Sequence, residues 1–186
     1  AAATKVRSIM SIVAGGESGD LSTIAAWADE TKKGAANGNS DPDTVEFLAD
    51  PRNKSASEWH FVDLPLDVER YDRALYAEFT RDDDVVQTIG LAVDVLSGSS
   101  NRFSPLNALR LLVHLVGDVH QPLHVACSYV HNDSGVPRLV TTPDEARGLP
   151  SDRGGNHIKL PLGTKGLDLH SYWDSRLGGK GALPDS

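Results

Sequence analysis

The stretch SPLNALRLLVHLVGDVHQPLHV, residues Ser104–Val125, sets the expectation for the whole chain. Its apolar residues Leu106, Leu109, Leu112, Val113, Val116 and Val119 recur at three- and four-residue steps, the pattern of an amphipathic helix. Ser104 suits the N-cap and Pro105 the first helical position. The helix is expected to stop near Gln121, because Pro122 lacks a donor and pushes the preceding residue out of the helical region. Into this apolar segment the chain sets His114, Asp118, His120 and His124. His114 and Asp118 are four apart and project from one face. His124 follows the proline, where the chain can turn back towards that face. Imidazole and carboxylate converging from an apolar surround suit a zinc ion. Taken alone, the His114–Asp118 pair is better read as a buried hydrogen bond.

The chain has 186 residues, enough for one domain over residues 1–186 with a single core. Hydrophobic residues make up 39% and charged residues 24%, an ordinary globular balance. No apolar run is long enough to span a membrane. The start, AAATKVRSIMSIVAGG, reads as a weak helical segment without the charged-then-apolar order of a signal peptide. A formal charge of −8 argues against a basic face that grips duplex nucleic acid. It leaves open an enzyme that meets phosphate through bound cations. Cys127 is the only cysteine, so no internal disulfide forms and the redox compartment stays open.

Upstream, DLSTIAAWADETKK predicts a helix from an Asp20 N-cap to Gly34, with Leu21, Ile24, Ala25 and Trp27 apolar and Asp29 on it. Residues Gly34–Asp43 read as a surface loop. ASEWHFVDLPL, Ala56–Leu66, reads as extended and carries His60 and Asp63. A third helix is expected over Asp82–Ser97, with Val85, Val86, Ile89, Val93 and Leu96 buried and Gly98 closing it. Downstream, Ala126–Arg153 is too long and polar for a tight connection and reads as a loop or excursion near the site. HIKLPL then reads as strand-like, and LDLHSYWDSRL as a short helix that repeats the His-x-x-x-Asp spacing in His170 and Asp174.

Two such pairs, joined by His60, His124 and Asp29, make a set of imidazoles and carboxylates without thiolate. That set suits catalytic rather than structural zinc. His120 points to another helix face, and His131 and His157 lie in polar or extended context, so these three are read as non-ligands.

The motifs WAD at Trp27–Asp29, WHFVD at Trp59–Asp63, HLVGDVHQPLH at His114–His124, GGN at Gly154–Asn156 and LHSYWD at Leu169–Asp174 occur in that order. In this the chain resembles the zinc-dependent single-strand nucleases of the S-one/P-one type, distant relatives of bacterial zinc phospholipase C. The resemblance runs from about Asp20 to Leu177. It implies a mainly α fold, a single helical domain of the phospholipase C and P-one nuclease type with a short extended segment. It also implies zinc in a cleft and hydrolysis of phosphodiesters in single-stranded DNA and RNA. The products would be 5′-phosphorylated, with 3′-nucleotidase activity beside the nuclease.

Carried over by residue, the resemblance implies that Asp29, His60, His114 and Asp118 hold one zinc, with Asp118 bridging towards a second ion. His124, His170 and Asp174 would hold a separate zinc. Asp63 falls where the family has a carboxylate beside the attacking water, and Lys32 matches a basic position that neutralises charge on the phosphoryl group. Asn156 would donate to phosphate or base, and Phe61 would stack on a base. Core packing and a solvated lysine serve Phe61 and Lys32 equally well. The family chain begins with a Trp and a nearby His that bind a third zinc, and it continues with further helices. This chain begins AAATKV and ends at Ser186, so it is expected to resemble a member lacking those parts, with two sites filled and weak activity. Single-stranded nucleic acids and nucleotides are the implied partners, a monomer the implied state, and secretion or the periplasm the implied location. The rival readings are lipid phosphodiester hydrolysis of the phospholipase C kind and a catalytically impaired, zinc-stabilised binding module.

Overall fold

The computed structural model describes residues 4–6, 8–9, 21–32, 41–133, 135–161 and 167–177. The fold is mainly α, as expected, with two small two-stranded sheets among the described residues. Two compact units are distinguished, one within residues 1–60 and 83–118 and the other within residues 61–82 and 119–186.

The first unit is built around helix α4, preceded by α1 (Trp27–Lys32), α2 (Pro42–Ala49) and α3 (Val85–Ser97). Helix α4 spans Pro105–Asp118, and the Ser104 hydroxyl accepts from the Asn107 N–H at 3.2 Å as its cap. Helices α1, α2 and α3 and a 3-10 turn at Leu21–Ile24 all contact α4. It is therefore buried on several sides at once: Leu106, Asn107, Ala108, Leu109, Arg110, Leu111 and Leu115 are buried, whereas Val116 is exposed. The single apolar stripe expected from the sequence is too narrow a picture, because neighbours on several sides bury the N-terminal half of the helix, polar Asn107 and Arg110 included, and only its C-terminal half keeps an exposed side. The helix also ends three residues earlier than expected. Pro122 opens a new helical turn, α5 (Pro122–Val125), whose N-cap Gln121 must be extended (φ −88°, ψ 114°). The backbone has to leave α4 before it.

Other expectations need similar correction. The helix expected from Asp20 is broken into the 3-10 turn and α1; Asp20 and Gly34 lie outside the described residues. Of the loop expected at Gly34–Asp43, residues 34–40 also lie outside them, but Asp41 caps α2 by accepting the Thr44 N–H at 3.0 Å. The DPD sequence is thus a helix start, with proline at the first position. Ala56–His60 is a 3-10 helix, and only Leu64–Pro65 is strand. Helix α3 closes as expected at a left-handed Gly98 (φ 87°), but it starts at Val85 behind an Asp84 cap, later than the expected Asp82. Its buried line is Val85, Thr88, Ala92 and Val95, and Val93 is exposed.

Aromatic rings fill the space between these helices. Phe47 meets Trp27, Trp59 and Phe103 at centroid distances of 5.1, 5.9 and 5.8 Å. Arg110 lies against this group, its guanidinium 5.1 Å from the Trp27 ring centroid. It donates to Asp41 Oδ2 at 2.8 Å, Asn107 Oδ1 at 3.0 Å and Thr44 Oγ1 at 3.2 Å. A buried cation is tolerated only with such partners.

The second unit sets β1 (Leu64–Pro65) parallel to β2 (Ala126–Cys127), with Leu64 opposite Ala126. Strands β3 (Tyr129–Asp133) and β4 (Val136–Val140) form an antiparallel hairpin, with Gly135 in the left-handed region at its turn. A helical turn, α6 (Pro143–Ala146), follows. The stretch read as a loop excursion is therefore largely ordered: Tyr129, Val130, Val136 and Val140 have the β-branched and aromatic character that favours pairing. The HIKLPL run contributes one bridge, Lys159 to Asp168, and residue 162 lies outside the described residues. The expected last helix is α7 (Leu169–Tyr172), capped by Asp168 and running into a π turn at Trp173–Leu177.

Partial burial works against ionising Asp41, but the Arg110 guanidinium and the Thr44 N–H and hydroxyl outweigh it and hold its pKa at about 2, below its ordinary 3.8. A carboxyl with a lowered folded-state pKa contributes stability above its unfolded value and loses it as pH falls to the folded one. This contribution is thus complete above about pH 4 and is lost between about pH 4 and pH 2. Asp41→Asn keeps a good N-cap and removes only the charge. It is expected to cost about 1–3 kcal/mol at neutral pH and to flatten the acid limb of stability, measured by urea unfolding from pH 7 to pH 2.

Candidate metal centres

In the first unit, α1 supplies Asp29, the end of the 3-10 helix supplies His60, and the last two turns of α4 supply His114 and Asp118. His114 Nδ1 donates to the Ala25 carbonyl at 2.6 Å. In the neutral ring the lone pair is then on Nε2, which stands 3.0 Å from His60 Nδ1, 3.2 Å from Asp118 Oδ2 and 3.6 Å from Asp29 Oδ1. His60 Nδ1 in turn lies 3.0 Å from Asp118 Oδ2 and 3.8 Å from Asp29 Oδ1. Ligand atoms of a tetrahedral zinc, with bonds near 2.0–2.1 Å, are roughly 3.3–3.5 Å apart. Atoms that normally accept protons therefore converge at the spacing a cation requires. Asp29, His60 and His114 together meet the geometry of a metal-holding group, and Asp118 Oδ2 adjoins its two histidines. Burial opposes a charge on His114, but the Asp118 carboxylate outweighs it and raises its pKa.

The second unit builds its centre from α5 and α7. His124 and His170 stack with ring centroids 4.8 Å apart. Asp174 reaches both, with Oδ1 at 3.6 Å from His124 Nε2 and Oδ2 at 3.3 Å from His170 Nε2. These three form the other metal-holding group. His170 Nδ1 donates to the Gly154 carbonyl at 2.8 Å, leaving Nε2 to face the carboxylate. This is the arrangement expected of a ligating histidine, whose second ring nitrogen is held by a main-chain carbonyl. Partial burial of Asp174 would raise its pKa, but hydrogen bonds from His124, His170 and Gln121 hold it well below the usual carboxylate range. Asp174 in turn raises the pKa of His170.

The remaining sequence candidates are distributed as follows. Asp63 is half-buried in the second unit, and its Oδ1 accepts from the Cys127 thiol at 2.8 Å. Phe61 is half-buried, and Asn156 is exposed with Nδ2 donating to the Arg153 carbonyl at 2.7 Å. Lys32 ends α1, and its side chain lies outside the described part of the structure. Neither metal-holding group includes His120, His131 or His157.

Three supporting groups escaped the sequence reading. Gln121 donates to Asp174 Oδ1 at 2.9 Å while its own oxygen caps α5 through the Leu123 N–H. The Ala25 carbonyl has no side-chain signal at all. The Gly154–Gly155 pair did carry one: consecutive glycines mark a place where backbone approaches closely.

Fold and paired His/Asp groups define a mainly helical protein with two candidate metal centres. The family model described as S1/P1 Nuclease matches residues 1–183, and the chain belongs to that family. It is 25% identical to Endonuclease 2 of Arabidopsis thaliana over 182 residues, covering 94% of this chain and 49% of the relative. It is 26% identical to Nuclease S1 of Aspergillus oryzae over 161 residues, covering 84% of this chain and 42% of the relative. The chain thus spans about half the length of the curated relatives it matches. Proteins of this family are generally zinc enzymes. Among the described residues no helix is long and apolar enough to cross a membrane.

Gly154 sits at φ 57°, and a Cβ there would lie 2.2 Å from the Leu123 carbonyl oxygen, with His170 Nδ1 at 3.4 Å. Gly154→Ala is expected to lower stability by about 2 kcal/mol or more and to displace the His170 ring. Thermal melting together with the His170 imidazole NMR signals would show it; an unshifted His170 contradicts this account of the turn.

Proposed function

We propose that the chain is a zinc-dependent phosphodiester hydrolase acting on single-stranded DNA and RNA, leaving 5′-phosphorylated products and also removing 3′-phosphates from nucleotides. The observation that carries this reading is the convergence of imidazole nitrogens and carboxylate oxygens in each of two centres, at 3.0–3.8 Å in the first and 3.3–3.6 Å in the second. Asp29, His60, His114 and Asp118 are assigned to one zinc, and His124, His170 and Asp174 to another. The donor set fits: nitrogen and carboxylate oxygen without thiolate suit zinc that keeps an open position. When bound, zinc supplies Lewis acidity at a phosphoryl oxygen and makes a strong oxygen nucleophile available near neutral pH.

The chain's own residues do the rest. The Asp63 carboxylate accepts the proton of the attacking water. The Lys32 ammonium offsets negative charge that gathers on the phosphoryl oxygens. Asn156 has a second amide N–H to donate to phosphate or base. Phe61 stacks on an unpaired base, which is worth about 1–3 kcal/mol and tolerates any sequence. Stacking of this kind favours strands already unpaired, so no duplex-opening step is needed. Secretion and a monomeric state belong to the same reading.

His114→Ala is expected to remove about one zinc equivalent and to abolish most hydrolysis of single-stranded DNA, whereas His120→Ala changes little. Metal analysis beside a gel assay checks both, and equal effects of the two substitutions overturn the ligand assignment. Faster hydrolysis of lecithin than of single-stranded DNA would instead favour a lipid substrate. Because zinc needs neutral imidazole and ionised carboxylate, acidification below about pH 6 should release metal and lower the melting temperature together. EDTA at neutral pH should lower it without any change of pH.

A further inference from the structure

We propose that Cys127 is a positioning residue: its thiol bridges Asp63 to the Gly154 turn and thereby fixes the Asp63 carboxylate and the His170 ring as one unit. The inference rests on the reading of Asp63 and His170 given above and assigns a task to the strand that opens the 126–153 segment. The thiol is 1% exposed. It donates to Asp63 Oδ1 at 2.8 Å and accepts the Gly154 N–H at 3.0 Å. The other side of the same residue, the Gly154 carbonyl, accepts from His170 Nδ1.

Asp63 is held from a second direction as well. Its main-chain carbonyl accepts the Tyr129 hydroxyl at 2.8 Å, and the preceding Val62 N–H donates to the His124 carbonyl at 2.8 Å. The parallel pairing of Leu64 with Ala126 continues that register. Asp63 therefore cannot turn without disturbing either the strand pair or the glycine turn. Burial first, and then the Asp63 carboxylate, push the thiol pKa up, so the sulfur keeps its proton and acts as donor and acceptor together.

The test uses Cys127→Ala, Cys127→Ser and Asp63→Asn in the full chain. Cys127 is the only cysteine, so its S–H stretching band is unambiguous in the infrared. The band should be shifted to low frequency in the parent protein and should move up in Asp63→Asn; a band unmoved by that substitution overturns the bridge. Cys127→Ala should weaken zinc binding by about tenfold and lower kcat by a similar factor with KM unchanged, as losses of outer-shell partners do. Cys127→Ser, which keeps a donor and an acceptor, should recover most of both at a melting temperature close to that of the Ala variant. Equal losses in the two variants would assign the effect to packing volume and overturn the proposal, as would no loss in either. Should the parent chain take up no zinc, the functional reading fails, while the infrared measurement still decides whether the bridge exists.

Discussion

Each candidate centre depends on one hydrogen bond from an imidazole Nδ1 to a main-chain carbonyl, His114 to Ala25 and His170 to Gly154. A neutral imidazole has one N–H and one lone pair, so fixing the proton on Nδ1 fixes the lone pair on Nε2 and aims it. Side chains alone would leave the ring free to rotate or to change tautomer. Main-chain carbonyls cannot be protonated at ordinary pH, so the aim does not vary with conditions. The cost falls on the backbone: in both cases a segment without regular long-range structure has to deliver a carbonyl to one position.

In the first unit that delivery depends on the packing around α4. The carbonyl of Ala25 lies between the 3-10 turn and α1, and both contact α4. The Trp27 ring, two residues later, packs against Phe47 and the Arg110 guanidinium. Its indole N–H donates to Thr44 Oγ1 at 2.8 Å. Trp27, Thr44, Asp41 and Arg110 thus form a continuous polar and aromatic lattice beside the segment that carries Ala25 and Asp29. The same helix that is buried almost all round at its N-terminal half ends in the two proposed ligands His114 and Asp118. A rigid helix end is well suited to hold them.

In the second unit the delivery depends on strained backbone. Arg153, Gly154 and Gly155 all have positive φ, at 55°, 57° and 81°. Three left-handed residues in sequence are costly where a side chain is present, and Asp152 helps to hold them by accepting the Gly155 N–H at 3.3 Å while buried. The turn brings its backbone so close to Leu123 that only glycine fits. What looks in the sequence like a ligand-contacting GGN triplet is also a clamp on a neighbouring histidine.

Much of the metal-type chemistry was legible in the sequence, because histidine and aspartate four apart share a helix face whatever surrounds them. The C-terminal end of α3 was legible for a similarly local reason, in its glycine stop, whereas its start lies beyond the expected Asp82. Burial was not. Periodicity assumes one buried face, and α4 has neighbours on several sides, while Val93 of α3 is apolar yet exposed because its neighbours cover the other line. The hairpin in the 126–153 segment was missed because its pairing joins residues whose polarity alone reads as loop. The partners of His114, His170 and Asp63 were beyond any sequence reading. They are two main-chain carbonyls and one thiol, brought from 89, 16 and 64 residues away, and a carbonyl is the same atom pair in every residue. Sequence determined which groups could bind; only the tertiary structure decided which lone pairs face one another, since that depends on where distant backbone passes.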